Sequence, residues 1–563
     1  MVRPVRPDRA RPGRRPAARR PPGTGEHPVT DPLDLAASGS FPVLTVFATF
    51  VSCALFLAIW VTTDRVTPGD FYVSDGRLTP AKNGIALFGD YMSAATLLGT
   101  PGLVALTGYD GLPYLLGPIV AWILIALLIA EPFHSTGRFT IGDSLARRLR
   151  PRRVHRAAGA ATVTVCLVYL VAQLVGAGAL AAPILGLSGP GAQQIVVAVL
   201  GLLMVTYVVI GGMRATTVVQ LVKAVLLLGG GGLLALLVMA EVGWSPSGLL
   251  RRAAQHSGLG ADFLAPGVRY GDNGVSKLDA LSLQLAVVLG AAGLPHLLMR
   301  LGAVPTARAA RGSVQWATLL TCAFCLMAGL IGFGAVALLG RNAVTADSAS
   351  GNSATLLLAE FLGGPFLLTL ITCVAFTTIL AVVAGVVLAA ATAVAHDLYQ
   401  VGLRGGKASE KSELLVARTA VVLIGLAATG LSLFAQGLNI TFLVGLAFAI
   451  AASAILPALL YGLYWKGFTT KGALCSIYGG LGSSVLLVVF SPALSGAPSS
   501  LLPDADFAVF PISNPGVISI PLGFLLGWLG SVLDARERGG ADFTEAEVRI
   551  LTGAGAGPVD GGA

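Results

Sequence analysis

Residues 83–111 read Asn-Gly-Ile-Ala-Leu-Phe-Gly-Asp-Tyr-Met-Ser-Ala-Ala-Thr-Leu-Leu-Gly-Thr-Pro-Gly-Leu-Val-Ala-Leu-Thr-Gly-Tyr-Asp-Gly. The stretch is long and apolar enough to span a bilayer. It nevertheless carries a carboxylate, Asp90, and a run of helix-breaking residues, Gly99-Thr100-Pro101-Gly102. A charge at that depth costs about 2.5–3.5 kcal/mol on insertion scales, so it faces a cavity or a partner. Irregular backbone in hydrocarbon is tolerated only where protein or a water-filled cavity surrounds it. The pattern predicts a discontinuous helix, either lining a solute and ion site or kinked for packing with Asp90 in an ion pair.

The rest of the composition agrees with a membrane setting. Hydrophobic residues make up 55% and charged residues only 12%, against about 25% charged in soluble chains. The 72 glycines suit close helix packing. The net charge of +9 does not point to nucleic acid, because eight of the 37 Lys and Arg lie in residues 1–20 and most others flank apolar spans. The six cysteines all fall in apolar stretches and read as small core residues. Cys322 and Cys325 have metal-like spacing, but no second Cys or His pair accompanies them.

Thirteen apolar spans are expected, near 42–62, 83–108, 112–131, 157–180, 192–210, 217–239, 280–300, 313–340, 361–395, 414–435, 440–462, 474–490 and 517–533. With the exit of the first span placed in the cytoplasm, cytoplasmic connections hold 22 Lys and Arg and external ones five. That bias puts the N-terminus outside and the C-terminus inside. The Arg- and Pro-rich leader, residues 1–40, would then have to cross the membrane; either the other loops set the orientation or the start lies later, near Val29. The leader has no apolar run and is expected to be disordered.

Spans 83–239 and 280–462 are two sets of five, so the second enters the membrane inverted. Each opens with an interrupted helix, the second at Gly290-Ala291-Ala292-Gly293-Leu294-Pro295-His296. Matching interruptions in two halves point to a transporter site. The expected fold is an all-α integral membrane protein with a five-plus-five inverted-repeat (LeuT-like) core. The extra first helix is 42–62, two accessory helices occupy 474–533, and 534–563 is a cytoplasmic tail.

Tyr207-Val208-Val209-Ile210-Gly211-Gly212-Met213-Arg214-Ala215 resembles a signature of the sodium:solute symporter family. Gly89-Asp90-Tyr91-Met92-Ser93-Ala94-Ala95, Gly108-Tyr109-Asp110-Gly111, Gly293-Leu294-Pro295-His296-Leu297-Leu298-Met299-Arg300, the run Ala375–Gly385 and Phe442–Phe448 are similar to its cation/acetate symporter (acetate permease) branch. The similarity runs over about residues 42–535. It implies sodium-coupled import of acetate and other short monocarboxylates through the plasma membrane, with no enzymatic step and no cofactor beyond the ion.

For the ion, the resemblance implies the carbonyls of Gly89 and Met92, together with the span 361–395. The chain departs from the broader family there: Ala381 and Val382 stand where sugar and proline symporters carry hydroxyl residues. Thr377 and Thr378, one turn earlier, are the candidate ligands; alternatively they bond back to their own helix. The departure keeps a proton open as the coupling ion, with Asp90 as its carrier. Asp90 is equally open to an ion pair with Arg300.

A carboxylate substrate needs compensation. No Arg or Lys is expected within the core of the interrupted helices, so half-helix N-termini near Gly99–Gly102 and Gly290–Gly293 are the expected donors. Ser93, Thr96, Thr100 and Gly293 are the candidate substrate contacts, with Ser93 and Thr96 also readable as packing residues. His296 is a candidate donor or a structural histidine. Glu131 and Asp143 read as solvated or salt-bridged, and Glu360 as favouring a helix dipole. A sensor would need a soluble signalling module, for which the polar tail after 533 is too short. A membrane enzyme would need a nucleophile–base set or a metal cluster. A channel would not explain the duplicated interrupted helices.

Overall fold

A computed structural model describes residues 68–534, apart from 94, 138, 185–189, 272, 348–350, 436–439, 497–499, 501 and 503–504, together with Ser52, Phe56, Thr544 and 547–549. The leader, nearly all of the expected 42–62 helix and most of the tail lie outside the described residues.

The described elements are helical except for one isolated bridge between Ser495 and Leu502. The first repeat opens with α1 (Pro80–Tyr91) and α2 (Thr100–Thr107), followed by α3 (Pro113–Leu124) and a short α4 (Ile141–Ala146). Then come α5 (Pro151–Ile184) and α6 (Pro190–Glu241). The second set comprises α7 (Gly274–Ala291), α8 (Pro295–Leu301), α9 (Ala307–Leu339), α10 (Ala354–Thr392), α11 (Glu410–Phe434), α12 (Ile440–Ile450) and α13 (Leu456–Tyr464). Two further helices, α14 (Thr470–Val489) and α15 (Gly516–Val532), pack against each other.

Starts are set locally. Thr79 accepts from the Lys82 amide and Pro80 occupies the first turn of α1, where its missing N–H is no loss. Thr306 and Thr469 cap α9 and α14 in the same way. Nine described helices are long and apolar enough to cross a membrane. One of them, Ala354–Leu403, is 94% buried over its most apolar stretch and is the central helix of the bundle.

Both interrupted helices are present, but the first break differs from expectation. Helix α1 stops at Tyr91 and the chain unwinds at Met92–Ser93, several residues before Gly99–Gly102. Gly99 adopts ordinary right-handed helical angles and Pro101 sits in the first turn of α2. A π turn over Ala95–Gly99 runs directly into α2, so the helical chain passes through Pro101 without a break. The second break is where the glycines put it, with Leu294 extended between α7 and α8. Gly290 is needed there: a Cβ would lie 2.7 Å from Phe448 Cα on α12.

Two spans also differ from expectation. Residues 211–216, expected as a connection, are helical within α6. In α10, Gly363 and Gly364 leave helical angles just before Pro365, so the expected 361–395 span is the second part of a kinked helix that begins at Ala354.

Candidate functional site

The break in α1 frees backbone groups by simple accounting. In an unbroken helix the Ser93 amide would reach the Gly89 carbonyl and the Thr96 amide the Met92 carbonyl. Here the Ser93 amide donates to Thr96 Oγ1 at 2.8 Å and the Thr96 amide to the Ser93 carbonyl at 3.1 Å. The Gly89 and Met92 carbonyls are thereby released, at the negative end of α1. Both accept from the ammonium of Lys223, which is completely buried on α6.

Beside this lies a buried ion pair. Asp90 Oδ2 accepts from Arg300 Nε at the end of α8, and Asp90 Oδ1 accepts from Gln220 Nε2, one turn before Lys223. Arg300 Nη1 donates to Thr217 Oγ1 at 3.0 Å, and the Arg300 carbonyl accepts from Asn83 Nδ2 at 2.9 Å. Gln220 also donates to the Ala381 carbonyl of α10 at 2.7 Å. Gly385 lets α10 approach: a Cβ there would lie 2.5 Å from Asp90 Oδ1. Four elements from both repeats, α1, α6, α8 and α10, thus converge on one carboxylate.

The expectation that no Arg or Lys lies within the core of the interrupted helices is therefore corrected. Arg300 belongs to the second interrupted helix and is 1% exposed, and Lys223 reaches the first from α6. Lys223 is not among the candidates drawn from the sequence, although a lone lysine inside an apolar span is a functional signal by default. Gln220, three residues earlier, lies on the same helix face.

Of the other candidate residues, Thr377 and Thr378 are buried on α10 and donate to their own helix, to Cys373 and Val374 carbonyls, both at 2.7 Å. Ser93 is buried at the break. Thr96 donates back to the Ser93 carbonyl at 2.6 Å, and Thr100 is half-buried in the first turn of α2. Gly293 packs against the Ala451 backbone.

His296 opens α8 and stacks on Tyr169 at 5.5 Å. Tyr169 stacks in turn on Phe448 at 6.0 Å, and Phe448 on Tyr91 at 6.2 Å. This aromatic column joins the two breaks. Beside it Asp90, Arg300, His296, Met213, Met299 and part of α10 line a narrow cavity too tight, as it stands, for a water molecule.

A second polar cluster lies where α4, α5 and α11 meet the chain after α10. Asp143 Oδ1 is 3.0 Å from His396 Nε2 and 3.8 Å from His155 Nε2. Their Nδ1 atoms face Glu413 at 3.1 Å and Asp397 at 2.6 Å. One ligand atom from each of Asp143, His155 and His396 lies within 4.8 Å of the others, a spacing compatible with a shared metal ion. Burial alone would raise the Asp143 carboxyl, but the His396 and His155 rings and the Phe139 amide hold it below the usual carboxylate range. Asp143 is thus salt-bridged, while Glu131 makes only a loose, exposed contact of 3.6 Å with Arg311.

Residues 71–480 match the model of the sodium:solute symporter family. The chain belongs to this family. It is 44% identical over 522 residues to the monocarboxylic acid transporter of Corynebacterium glutamicum, covering 91% of this chain and 95% of that protein. It is 43% identical over 509 residues to the uncharacterized symporter YwcA of Bacillus subtilis, covering 90% and 98%. Among solved structures, a Na+-coupled sialic acid symporter in a substrate-bound, outward-open state matches with a TM-score of 0.67. That match is 14% identical and covers 88% of this chain and 98% of the other, so it speaks to fold alone. The protein is an all-helical, multi-pass membrane transporter with a LeuT-like fold and a symporter of small solutes, not an enzyme.

Proposed function

We propose that this symporter imports short monocarboxylates, acetate among them, across the plasma membrane by alternating access, with its N-terminus outside and its C-terminus inside. The observation that carries this reading is the buried cationic centre at the junction of the two interrupted helices. Arg300 and Lys223 surround a single carboxylate, Asp90. Such a centre favours an anion. The monocarboxylic acid transporter that resembles the chain over most of its length supports the same substrate class. Expressed in cells lacking monocarboxylate uptake, the chain should take up labelled propionate. Unlabelled acetate and pyruvate should compete, whereas proline and glucose should not; competition by proline or glucose alone would replace the substrate class.

Sodium is the coupling ion that the family implies. One observation favours a proton instead: the Gly89 and Met92 carbonyls, the candidate sodium ligands, already hold the Lys223 ammonium. An ammonium and a sodium ion are alternative occupants of one pair of oxygens. On this second reading Lys223 takes the place of sodium, and its loss and regain of a proton accompanies each transport cycle, with Asp90, Arg300 and His296 as its charged and titratable neighbours.

A further inference from the structure

We infer that the substrate's carboxylate is held by Arg300 Nη2 and His296 Nε2, inside the cavity between α1, α6, α8 and α10. The inference rests on the monocarboxylate reading and assigns its binding site. Three observations converge on it.

The first is hydrogen-bond accounting. Of the guanidinium's nitrogens, Nε faces Asp90 and Nη1 faces Thr217, but buried Nη2 has no partner. His296 Nε2 is likewise buried without a partner. Both residues line the same cavity, and they are 1% and 3% exposed. Orphaned buried donors are uncommon and costly, so two on one cavity point to a group that comes and goes. A guanidinium with one free arm is suited to a carboxylate oxygen. His296, in the neutral tautomer carrying its proton on Nε2, supplies a second donor.

The second is charge. Among the described residues the centre holds two cations, Arg300 and Lys223, and one carboxylate, Asp90. The surplus positive charge lacks a buried counter-ion. A bound monocarboxylate makes the group of four neutral, which is the condition under which buried charges are tolerated.

The third is shape. The remaining wall is formed by Met213, Met299 and α10. Methionine is unbranched and adaptable, and its side chain can yield to a short alkyl tail. As it stands the crevice has no room for a molecule the size of water, so the tail enters only as these methionines yield.

The full-length protein, purified and reconstituted, tests this with acetate and its neutral isostere acetamide as competitors of labelled pyruvate uptake. In the unaltered protein, acetate should compete and acetamide should not, by at least tenfold in half-inhibiting concentration. Arg300→Lys keeps a cation opposite Asp90 but removes the free arm, and should weaken acetate competition about tenfold or more. His296→Phe keeps the stack on Tyr169 and removes the donor, with a similar loss. His296→Gln restores a donor and should recover acetate affinity to within about threefold, a recovery that a purely structural histidine would not show. Acetate affinity within twofold of the unaltered protein in both Arg300→Lys and His296→Phe would overturn the assignment while leaving monocarboxylate transport in place. Equal competition by acetamide would overturn the charge argument. Failure of the unaltered protein to take up any monocarboxylate would remove the substrate reading, and this site with it.

Discussion

Lys223→Met is the most informative single substitution, because it separates an ammonium from the stem that carries it. The methionine retains the apolar length of the side chain and loses only the donor. Two buried carbonyls, Gly89 and Met92, then lose the partner that the break in α1 obliges them to find. Each unsatisfied buried group costs about 1–3 kcal/mol, so the variant should lose about 2–6 kcal/mol when no other cation is present. Sodium can then enter the vacated oxygens. Binding at 100 times its dissociation constant would return about 2.7 kcal/mol. The assay is thermal unfolding of detergent-purified protein at constant ionic strength, with choline replaced stepwise by sodium. If Lys223 takes the place of sodium, Lys223→Met should unfold earlier than the unaltered protein in choline and gain stability with sodium, and the unaltered protein should be indifferent to the exchange. Sodium-dependent stabilisation of the unaltered protein, absent from Lys223→Met, would refute the reasoning and return the carbonyls to sodium.

Three further outcomes follow from the same geometry. Asp90→Asn leaves Arg300 buried beside a neutral group and should cost about 3–5 kcal/mol; Asp90→Asn with Arg300→Gln should recover much of that stability but not uptake, which unfolding and transport measured side by side will show. Gly385→Ala places a methyl group against Asp90 and should reduce initial uptake about tenfold or more with normal membrane abundance, since α10 must retreat or the carboxylate must turn. Asp143→Asn should lower the unfolding temperature at neutral pH. Because the native carboxyl is held below its unfolded value, its contribution is complete above about pH 4 and fades as the pH falls further, so the gap between variant and unaltered protein should close in acid.

Much of the fold was legible because lipid leaves few choices. Backbone groups must be satisfied within each span, so apolar length reports helices directly, and the second break followed from Gly290, Gly293 and Pro295. The first break was misplaced by the same rule applied without context. Pro101 reads as a breaker, yet the helical chain runs through it from the π turn Ala95–Gly99, while the chain parts at Met92–Ser93, where no Gly or Pro announces it. The opening there is sustained by Lys223, distant in sequence, and by the local Thr96 hydroxyl, which replace the hydrogen bonds of an unbroken helix. The Asp90–Arg300 pair was one of two readings open from the sequence, because both residues stand in apolar surroundings that demand a counter-charge. Lys223 was legible in principle, through its isolation in an apolar span and the helical spacing from Gln220. What no local pattern could supply was its target across the bundle.

The central claim is that a cation gradient drives a small carboxylate through this protein, and reconstituted transport tests it most directly. Labelled pyruvate is the substrate of choice, since acetic acid crosses lipid unaided, and protein-free vesicles set the background. A sodium gradient and a pH gradient should be imposed separately on proteoliposomes. The account predicts protein-dependent accumulation above equilibrium, driven by an inside-alkaline pH gradient without sodium if Lys223 carries the coupling proton, or by sodium at equal pH if the carbonyls exchange their ammonium for the metal ion. Correctly inserted protein that accumulates no monocarboxylate under either gradient would contradict it.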